Sequence, residues 1–207
     1  MKRGIFISFE GIDGSGKTTQ IEQLKDYLKS LNIDYVVVRE PGGTNEGERI
    51  RQILLDRESD LTPEAELFLL LASRSILTKR VIIPSLEEGK IVIADRYADS
   101  SVAYQGYGRG LDIEFVNSGN SVATCGLKPD ITFYIDIPVE ESIRRRKEKK
   151  KDRMEIDPEF LKRVRKGYLK MANNSKRIVV VDGTMNPKEV WQIIKINIEE
   201  LLRRRNG

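Results

Sequence analysis

The 207-residue sequence contains no histidine and a single cysteine, Cys125. Without histidine the chain lacks the commonest general base of enzymes, so Ser-His-Asp and Cys-His mechanisms are excluded. One cysteine permits neither an internal disulfide nor a metal site of several cysteines, which favours a reducing, cytoplasmic environment. No apolar run is long enough to cross a bilayer and no signal peptide is readable, so we expect no membrane partner.

Charged residues are abundant, and the excess of positive over negative charge is concentrated in one segment. The net charge is +4, yet residues 144–153 alone contain eight Lys or Arg and only two acidic residues. A segment this basic suits phosphates held at one site better than a nucleic acid spread along a surface. We therefore expect anionic small molecules as ligands and no nucleic-acid partner.

Short apolar runs rich in β-branched residues alternate with segments of helical periodicity. Thr62, Asp157 and Asn186 each precede a proline, which is typical of a helix start because the first helical residue donates no intrahelical hydrogen bond. This alternation predicts an α/β fold, with a parallel sheet between helix layers, in a single domain over residues 1–207. The five predicted strands are residues 5–9, 35–38, 91–94, 131–135 and 178–181.

Charged residues follow each predicted strand, at Glu10, Arg39, Asp95, Asp136 and Asp182. In parallel sheets covered by helices, ligands bind beyond the carboxyl ends of the strands. These positions are therefore candidates for a binding site. The alternative for Asp95 is a local ion pair with the arginine that follows it.

Residues 11–18, here called the phosphate loop, match the pattern G-x-x-x-x-G-K-[ST] between a predicted strand and a predicted helix at 19–31. Glycines let backbone amides surround an anion, and the helix adds its positive end. Lys17 is predicted to neutralise the β- and γ-phosphates of a nucleoside triphosphate, and Thr18 to bind Mg2+. The motif is shared with GTPase switches and motor ATPases, but the Asn-Lys-x-Asp segment that reads guanine does not occur. The predicted ATP-binding residues of the loop are Gly11, Ile12, Asp13, Gly14, Ser15, Gly16, Lys17 and Thr18.

Several further motifs occur in a defined order: FEGIDG at 9–14, REPGGT at 39–44, DRY at 95–97, AYQG at 103–106 and DRME at 152–155. Together they resemble the thymidylate kinases, enzymes that phosphorylate dTMP to dTDP with ATP. The likeness covers nearly the whole chain. It implies a three-layer α/β/α P-loop kinase fold with a five-stranded parallel sheet, Mg2+ with ATP, a homodimer, and a cis peptide bond before Pro41.

The resemblance also implies how charge is arranged around the reacting phosphates. Two highly charged groups have to meet, so cations must neutralise them from several directions. Arg39 and Arg96 are expected to bind the acceptor phosphate. Glu40 and Asp95 are expected to hold Mg2+ together with Thr18, directly or through water.

Further roles that the resemblance implies concern the acceptor nucleoside. Arg74 is expected to donate to a thymine carbonyl, and Ser101 and Gln105 to lie near the base or sugar. Tyr104 would crowd the 2′ position and favour deoxyribose, while Asp13 would accept from the 3′-hydroxyl. For Tyr104 the alternative is an ordinary core aromatic residue.

The sequence departs from the family at Leu70, where many members carry an aromatic residue that stacks on thymine. Phe68 lies two residues earlier and faces another direction on a helix. Leu70 supplies apolar contact without stacking, so a kinase of another pyrimidine monophosphate or of a deoxynucleoside remains an alternative. A nucleotide-dependent switch is a further alternative, against which Arg39, Arg74 and Arg96 argue because they furnish a second anion site.

A catalytic cation is expected outside the phosphate loop, because residues 12–15 carry none. The resemblance implies a mobile lid at residues 144–155 that brings arginine to the transferring phosphoryl group. Arg153 is the first candidate, Arg145 and Arg146 are further ATP-binding candidates, and Gly183 is expected near the adenine. The alternative is a solvated, charged helix end. The predicted catalytic residues are Asp13, Lys17, Arg96 and Arg153, with no general base.

Overall fold

A computed structural model of the chain describes residues 3–56, 59–148 and 157–206. Five strands form one sheet in the order β2-β3-β1-β4-β5, and every neighbouring pair is parallel. The predicted five-stranded parallel sheet is therefore confirmed. Each strand ends one residue later than predicted, because the charged residue at its end still pairs with the sheet. The strands are β1 (Phe6–Glu10), β2 (Tyr35–Arg39), β3 (Ile91–Asp95), β4 (Ile131–Asp136) and β5 (Ile178–Asp182).

Helices follow each strand in the described ranges, and none of them is long and apolar enough to span a lipid bilayer. Two segments, Thr78–Ile82 and Val102–Gly108, form wider π-helical turns. The α-helices are α1 (Lys17–Ser30), α2 (Asn45–Leu55), α3 (Pro63–Leu77), α4 (Ile83–Glu87), α5 (Ala98–Ser101), α6 (Ile113–Ala123), α7 (Val139–Glu148), α8 (Pro158–Asn173) and α9 (Pro187–Asn206).

The predicted helix starts are confirmed by their caps. Thr62 Oγ1 accepts a hydrogen bond from the amide of Ala65 at 3.3 Å, and Asp157 Oδ1 accepts from the amide of Glu159 at 2.9 Å. Asn186 precedes α9 as predicted. These side chains satisfy amide groups that have no partner within the first helical turn.

The apolar stretch at residues 67–83 does not form one regular α-helix. Pro84 has no N–H and cannot donate to the carbonyl of Arg80, so regular α-helical bonding is not available there. The chain instead widens at Thr78–Ile82, where the amide of Ile83 donates to Thr78 O, before α4 begins.

Successive side chains of each strand point to opposite faces of the sheet, and helices cover both faces, which gives the expected three layers. On one face Ile7, Phe9 and Phe133 pack against α1 and α9. On the other face Phe6 packs against α3 and α4, and Tyr134 packs against α8. A sheet covered on both sides leaves its carboxyl edge as the open place for a ligand.

The strand register brings the charged strand ends to that edge. Arg39 of β2 lies beside Asp95 of β3, and Asp95 lies beside Phe9 of β1, so that Glu10 extends just past it. On the other side Asp136 of β4 pairs with Asp182 of β5. Residues that are far apart in sequence thus meet along one edge of the sheet.

Candidate functional site

An open cavity of about 790 Å³ is lined by the phosphate loop and by the charged ends of β2 and β3. Most of the predicted site residues line it. Gly11, Ile12 and Arg146 do not, and Arg153 lies outside the described residues. The predicted residues in the lining are Asp13, Gly14, Ser15, Gly16, Lys17, Thr18, Arg39, Glu40, Leu70, Arg74, Asp95, Arg96, Ser101, Tyr104, Gln105, Arg145 and Gly183.

The phosphate loop is shaped by close backbone packing. Gly11 has a φ of 144°, and a Cβ there would lie 2.6 Å from the carbonyl oxygen of Ile135, so only glycine fits. Gly16, at a φ of 102°, precedes the first residue of α1. Ile12 is 1% exposed and packs in the core, so its side chain cannot reach a ligand. Ile12 can therefore contribute to ATP binding only through its backbone.

Lys17 folds back across the loop, where its Nζ donates to the carbonyl of Gly11 at 3.0 Å. Burial, with the positive charge of Arg96, lowers the pKa of Lys17 to about 8. An anion bound in the loop would favour the charged form of this lysine. A bound phosphate would therefore stabilise the charge of Lys17 that burial disfavours.

Four buried oxygens of residues that line the cavity have no hydrogen-bond partner in the described part of the chain: Ser15 Oγ, Gln20 Oε1, Glu40 Oε1 and Asp95 Oδ1. Buried polar atoms in folded proteins almost always have partners, so these atoms are suited to a ligand. No three His, Cys, Asp or Glu side chains within the described ranges group closely enough to form a metal site of their own. Mg2+ takes only one or two carboxylates and completes its shell with water and phosphate oxygens, so Glu40 and Asp95 with Thr18 fit it.

Arg96 connects the phosphate loop to the end of β3. Its Nη2 donates to Asp13 Oδ1 at 2.7 Å, and its guanidinium lies 5.1 Å from the ring centre of Tyr104. The charge of Arg96 is the main cause that lowers the pKa of Asp13 to about 2. Asp13, expected to accept from a sugar hydroxyl, therefore also holds the arginine expected to bind the acceptor phosphate.

Glu10, one of the charged strand ends named as candidates, is a fully buried carboxylate for which the sequence predicted no individual role. It accepts four hydrogen bonds, from Ser8 Oγ (3.0 Å), Tyr97 N (2.7 Å), Ser100 Oγ (2.6 Å) and Tyr168 OH (2.9 Å). Burial, and next the charge of Asp99, raise the pKa of Glu10 to about 7. Glu10 thus fixes the residue that follows Arg96 and a side chain that Arg96 contacts.

Arg74 is buried at 1% exposure and uses all of its donors within the protein. Its five N–H groups donate to Glu40 Oε2 twice, to Ser101 Oγ, to Asn120 Oδ1 and to the carbonyl of Tyr97. Its contact with thymine stays a prediction, and it would require one of these partners to be exchanged. What the described structure shows directly is that Arg74 holds Glu40 in place.

Two further cations stand near the ends of β2 and β3. Arg39 is half-exposed, and its Nη2 donates to Glu48 Oε2 at 2.8 Å. Arg51 of α2 lines the cavity and donates to the carbonyl of Pro41 at 2.9 Å. The Glu40–Pro41 peptide bond is cis, as expected. Arg51 was missed because nothing in the polar sequence of α2 distinguishes it from a surface arginine.

Arg145 of α7 joins two loops of the cavity. It donates to the carbonyls of Gly14 at 3.1 Å and Gly183 at 3.0 Å, and to Glu141 Oε1 at 2.6 Å. Arg146 does not line the cavity, although its charge adds to that of Arg96 in lowering the pKa of Asp13.

Comparison with known proteins decides the family. A family model described as thymidylate kinase matches residues 9–194. The chain belongs to the thymidylate kinase family. Among similar proteins, the thymidylate kinase of Kosmotoga olearia is 51% identical over 92% of this chain and 94% of its own length. That of Caldanaerobacter subterraneus is 50% identical over 97% and 98%.

A solved structure agrees with this assignment. The crystal structure of thymidylate kinase from Ehrlichia chaffeensis has a TM-score of 0.77 and 37% identity, covering 94% of this chain and 98% of that one. The resemblance found in the sequence and the expected P-loop kinase fold are therefore confirmed. As a thymidylate kinase family member, the chain is a phosphotransferase that acts on a nucleotide.

The raised pKa of Glu10 predicts a pH dependence of stability. Between pH 4.5 and about 7 the folded state binds a proton at Glu10 that the unfolded state has released. Stability from this group is present below pH 4.5 and is lost as pH rises to 7, by about 3 kcal/mol in total. In denaturant unfolding, the stability of the wild type minus that of Glu10→Gln should fall by this amount over that range.

The matched control is Glu87→Gln, which changes an exposed glutamate. Its difference from the wild type should stay level across the same pH range. A level difference for Glu10→Gln as well would show that Glu10 does not carry the raised pKa.

Proposed function

We propose that this chain transfers the γ-phosphoryl group of ATP to dTMP, giving ADP and dTDP, and that the cavity binds both nucleotides. The observation that carries this is the shared cavity of the phosphate loop and a second set of cations, joined by the Arg96–Asp13 hydrogen bond. A nucleotide switch needs only the first of these two parts. We place the reaction in the cytoplasm, in keeping with the free thiol of Cys125.

The phosphate loop is assigned to ATP. Its backbone amides, the positive end of α1 and the hydroxyl of Ser15 would surround the phosphates. Lys17 would move its hydrogen bond from Gly11 to the β- and γ-phosphates. Arg145, which links Gly14 to Gly183, would keep the two loops of the ATP site in register.

Glu40, Asp95 and Thr18 are assigned to Mg2+. Glu40 Oε1 and Asp95 Oδ1 are two of the unpartnered buried oxygens described above. When bound, the ion would neutralise charge on the β- and γ-phosphates. Arg74, by occupying Glu40 Oε2, would leave the other oxygen of that carboxylate for the ion.

The acceptor phosphate is assigned to Arg96 and Arg39, with Arg51 as a third cation nearby. An oxygen of dTMP would form a new bond to the γ-phosphorus while the bond to the β–γ bridging oxygen breaks, and that oxygen leaves with ADP. The attacking oxygen is already anionic, so positioning and charge neutralisation suffice without a general base. Asp13 would remain between the two substrates, and Tyr104 would line the sugar.

A lid over residues 144–155 is assigned to the transferring phosphoryl group. Arg153, at its far end, lies outside the described residues, and its role stays a prediction. Arg145 already donates to two loop carbonyls, which supports a role in holding the ATP site in shape rather than in catalysis. We therefore retain Arg153 as the catalytic cation.

The reaction is tested by incubating the protein with ATP, Mg2+ and one acceptor at a time, followed by separation of the products. The panel contains dTMP, dCMP, dUMP and thymidine, because Leu70 lacks the ring that stacks on thymine in many relatives. We expect dTDP and ADP in equal amounts. Conversion of dCMP or thymidine without conversion of dTMP would refute the acceptor assignment. Loss of ATP without a phosphorylated acceptor would favour the nucleotide switch.

Arg153→Ala tests the catalytic cation. Removing one charge that stabilises the transition state typically lowers kcat by about 10²–10³-fold, while dTMP binding should change little. The measurement is kcat at saturating substrates together with dTMP affinity by calorimetry. Arg204→Ala, at an exposed residue of α9, is the matched control and should keep wild-type kcat. Wild-type turnover in Arg153→Ala would reject the assignment.

We also propose a homodimer formed through α3 and α6. Phe68 and Phe115 are 56% and 44% exposed, and their rings lie edge to face at 6.1 Å. Val122, further along α6, is 79% exposed. Beyond Glu114, α6 carries no charged residue. A partly apolar, uncharged face between two packed helices suits a second copy of the chain.

Phe115→Glu tests this interface by placing a charge on it. In sedimentation experiments the wild type should be a dimer, and Phe115→Glu should shift the distribution towards the monomer. Ile196→Glu makes the same change at an exposed apolar residue of α9, and it should remain dimeric. A monomeric wild type, or an unchanged dimer in Phe115→Glu, would contradict the proposed interface.

A further inference from the structure

Two helical segments along the cavity are joined by two pairs of polar side chains. Arg74 of α3 donates to Ser101 Oγ at 2.9 Å, and Glu66 of α3 accepts from Gln105 Nε2 at 2.6 Å. Glu66, Leu70 and Arg74 are each four residues apart, so they share one face of α3. All five residues line the cavity, with Leu70 between the two pairs. We call this surface the α3 wall.

The orientation of the Gln105 amide is dictated by Glu66. An ionised carboxylate only accepts hydrogen bonds, so it must face the NH2 group of Gln105. Arg109 Nη2 donates to the other carboxylate oxygen of Glu66 at 3.0 Å and holds that side chain from the opposite end. Gln105 itself is 3% exposed. Its amide therefore has one orientation rather than two.

This orientation leaves the Gln105 carbonyl oxygen, Oε1, to interact with a molecule in the cavity. Nε2 donates to Glu66, and Oε1 forms no hydrogen bond to any residue in the described ranges. At the other end of the α3 wall, the five N–H groups of Arg74 are all engaged within the protein. The wall thus offers a molecule beside Leu70 a fixed acceptor and no free arginine donor.

We propose that Glu66 is a positioning residue that makes the site select acceptor pyrimidines carrying a ring N–H. Thymine and uracil have a hydrogen on N3 and can donate it to Gln105 Oε1. Cytosine has a lone pair on N3, so two acceptors would meet and both would stay unpaired, which is costly in a desolvated pocket. The inference rests on the proposed function, because it takes a pyrimidine monophosphate as the acceptor.

Glu66→Gln tests this inference with almost no change in shape. A glutamine both donates and accepts, so the Gln105 amide can turn over and present either group. The ratio of kcat/KM for dTMP to that for dCMP should fall by about tenfold or more. The change should lie mainly in KM, with kcat at saturating dTMP within about twofold of the wild type. The ratio of dTMP to dUMP should stay unchanged, because both bases carry the N3 hydrogen.

Glu64→Gln is the matched control, since it makes the same substitution at an exposed position of the same helix. Both ratios should stay at the wild-type values. Gln105→Met removes the acceptor oxygen at similar length and is a second test should Glu66→Gln fail to fold, which circular dichroism reports. It too should lower the dTMP-to-dCMP ratio while sparing the dTMP-to-dUMP ratio.

The outcomes separate the two proposals. A wild type that phosphorylates dTMP, with a dTMP-to-dCMP ratio that survives in Glu66→Gln or Gln105→Met, would overturn the role of Glu66 and leave the proposed function standing. An equal loss for dTMP, dUMP and dCMP would show a merely structural role and would also overturn it. A wild type that converts no dTMP would refute the proposed function and this inference with it.

Discussion

The buried carboxylate of Glu10 is the contact on which the geometry of the cavity depends. It lies at the end of the central strand, and it accepts hydrogen bonds from the segment after β3 and from Tyr168 of α8. A charge without water has to be fully hydrogen-bonded, so these donors cannot move independently. Arg96 directly precedes Tyr97 in the chain, so these hydrogen bonds also fix its position. Through its bond to Asp13 the same network reaches the phosphate loop.

Burial disfavours the positive charge of two cations at the cavity. Burial and Arg96 depress the pKa of Lys17, and burial is the main cause that lowers the pKa of Arg51. Anionic substrates would stabilise the charged forms of these side chains, because their phosphates supply negative charge beside them. The unpartnered oxygens of Glu40 and Asp95 are suited to bind a cation. A nucleotide bound with Mg2+ would supply both the anion and the cation.

The α3 wall shows how one helix can serve two purposes in a binding site. At one end Arg74 donates all of its N–H groups within the protein, two of them to Glu40, and so stabilises that carboxylate. At the other end Glu66 fixes the Gln105 amide and so gives the wall a polarity. Leu70 between them contributes apolar surface without a ring. Base selection on this wall would therefore rest on hydrogen bonding rather than on ring stacking.

The sequence by itself determined the sheet, the phosphate loop and the capped helix starts. These features depend on local patterns, such as β-branched runs, glycine spacing and a capping side chain before a proline, so they can be read from neighbouring residues. The charged residues Arg39 and Asp95 could also be placed from the sequence. They end two predicted strands, and parallel strands align their carboxyl ends.

Only the tertiary structure decided which side chains are free to act. Arg74 meets Asn120 across 46 residues of sequence, and Gln105 meets Glu66 across 39. No local pattern predicts such pairs, because a buried donor takes whatever acceptor the packing of distant helices brings within reach. Arg51 is the converse case, an arginine of a polar helix that became part of the cavity only when α2 packed against α3. Most of the predicted site residues do line the cavity, but which of their polar atoms are free was set by partners from elsewhere in the fold.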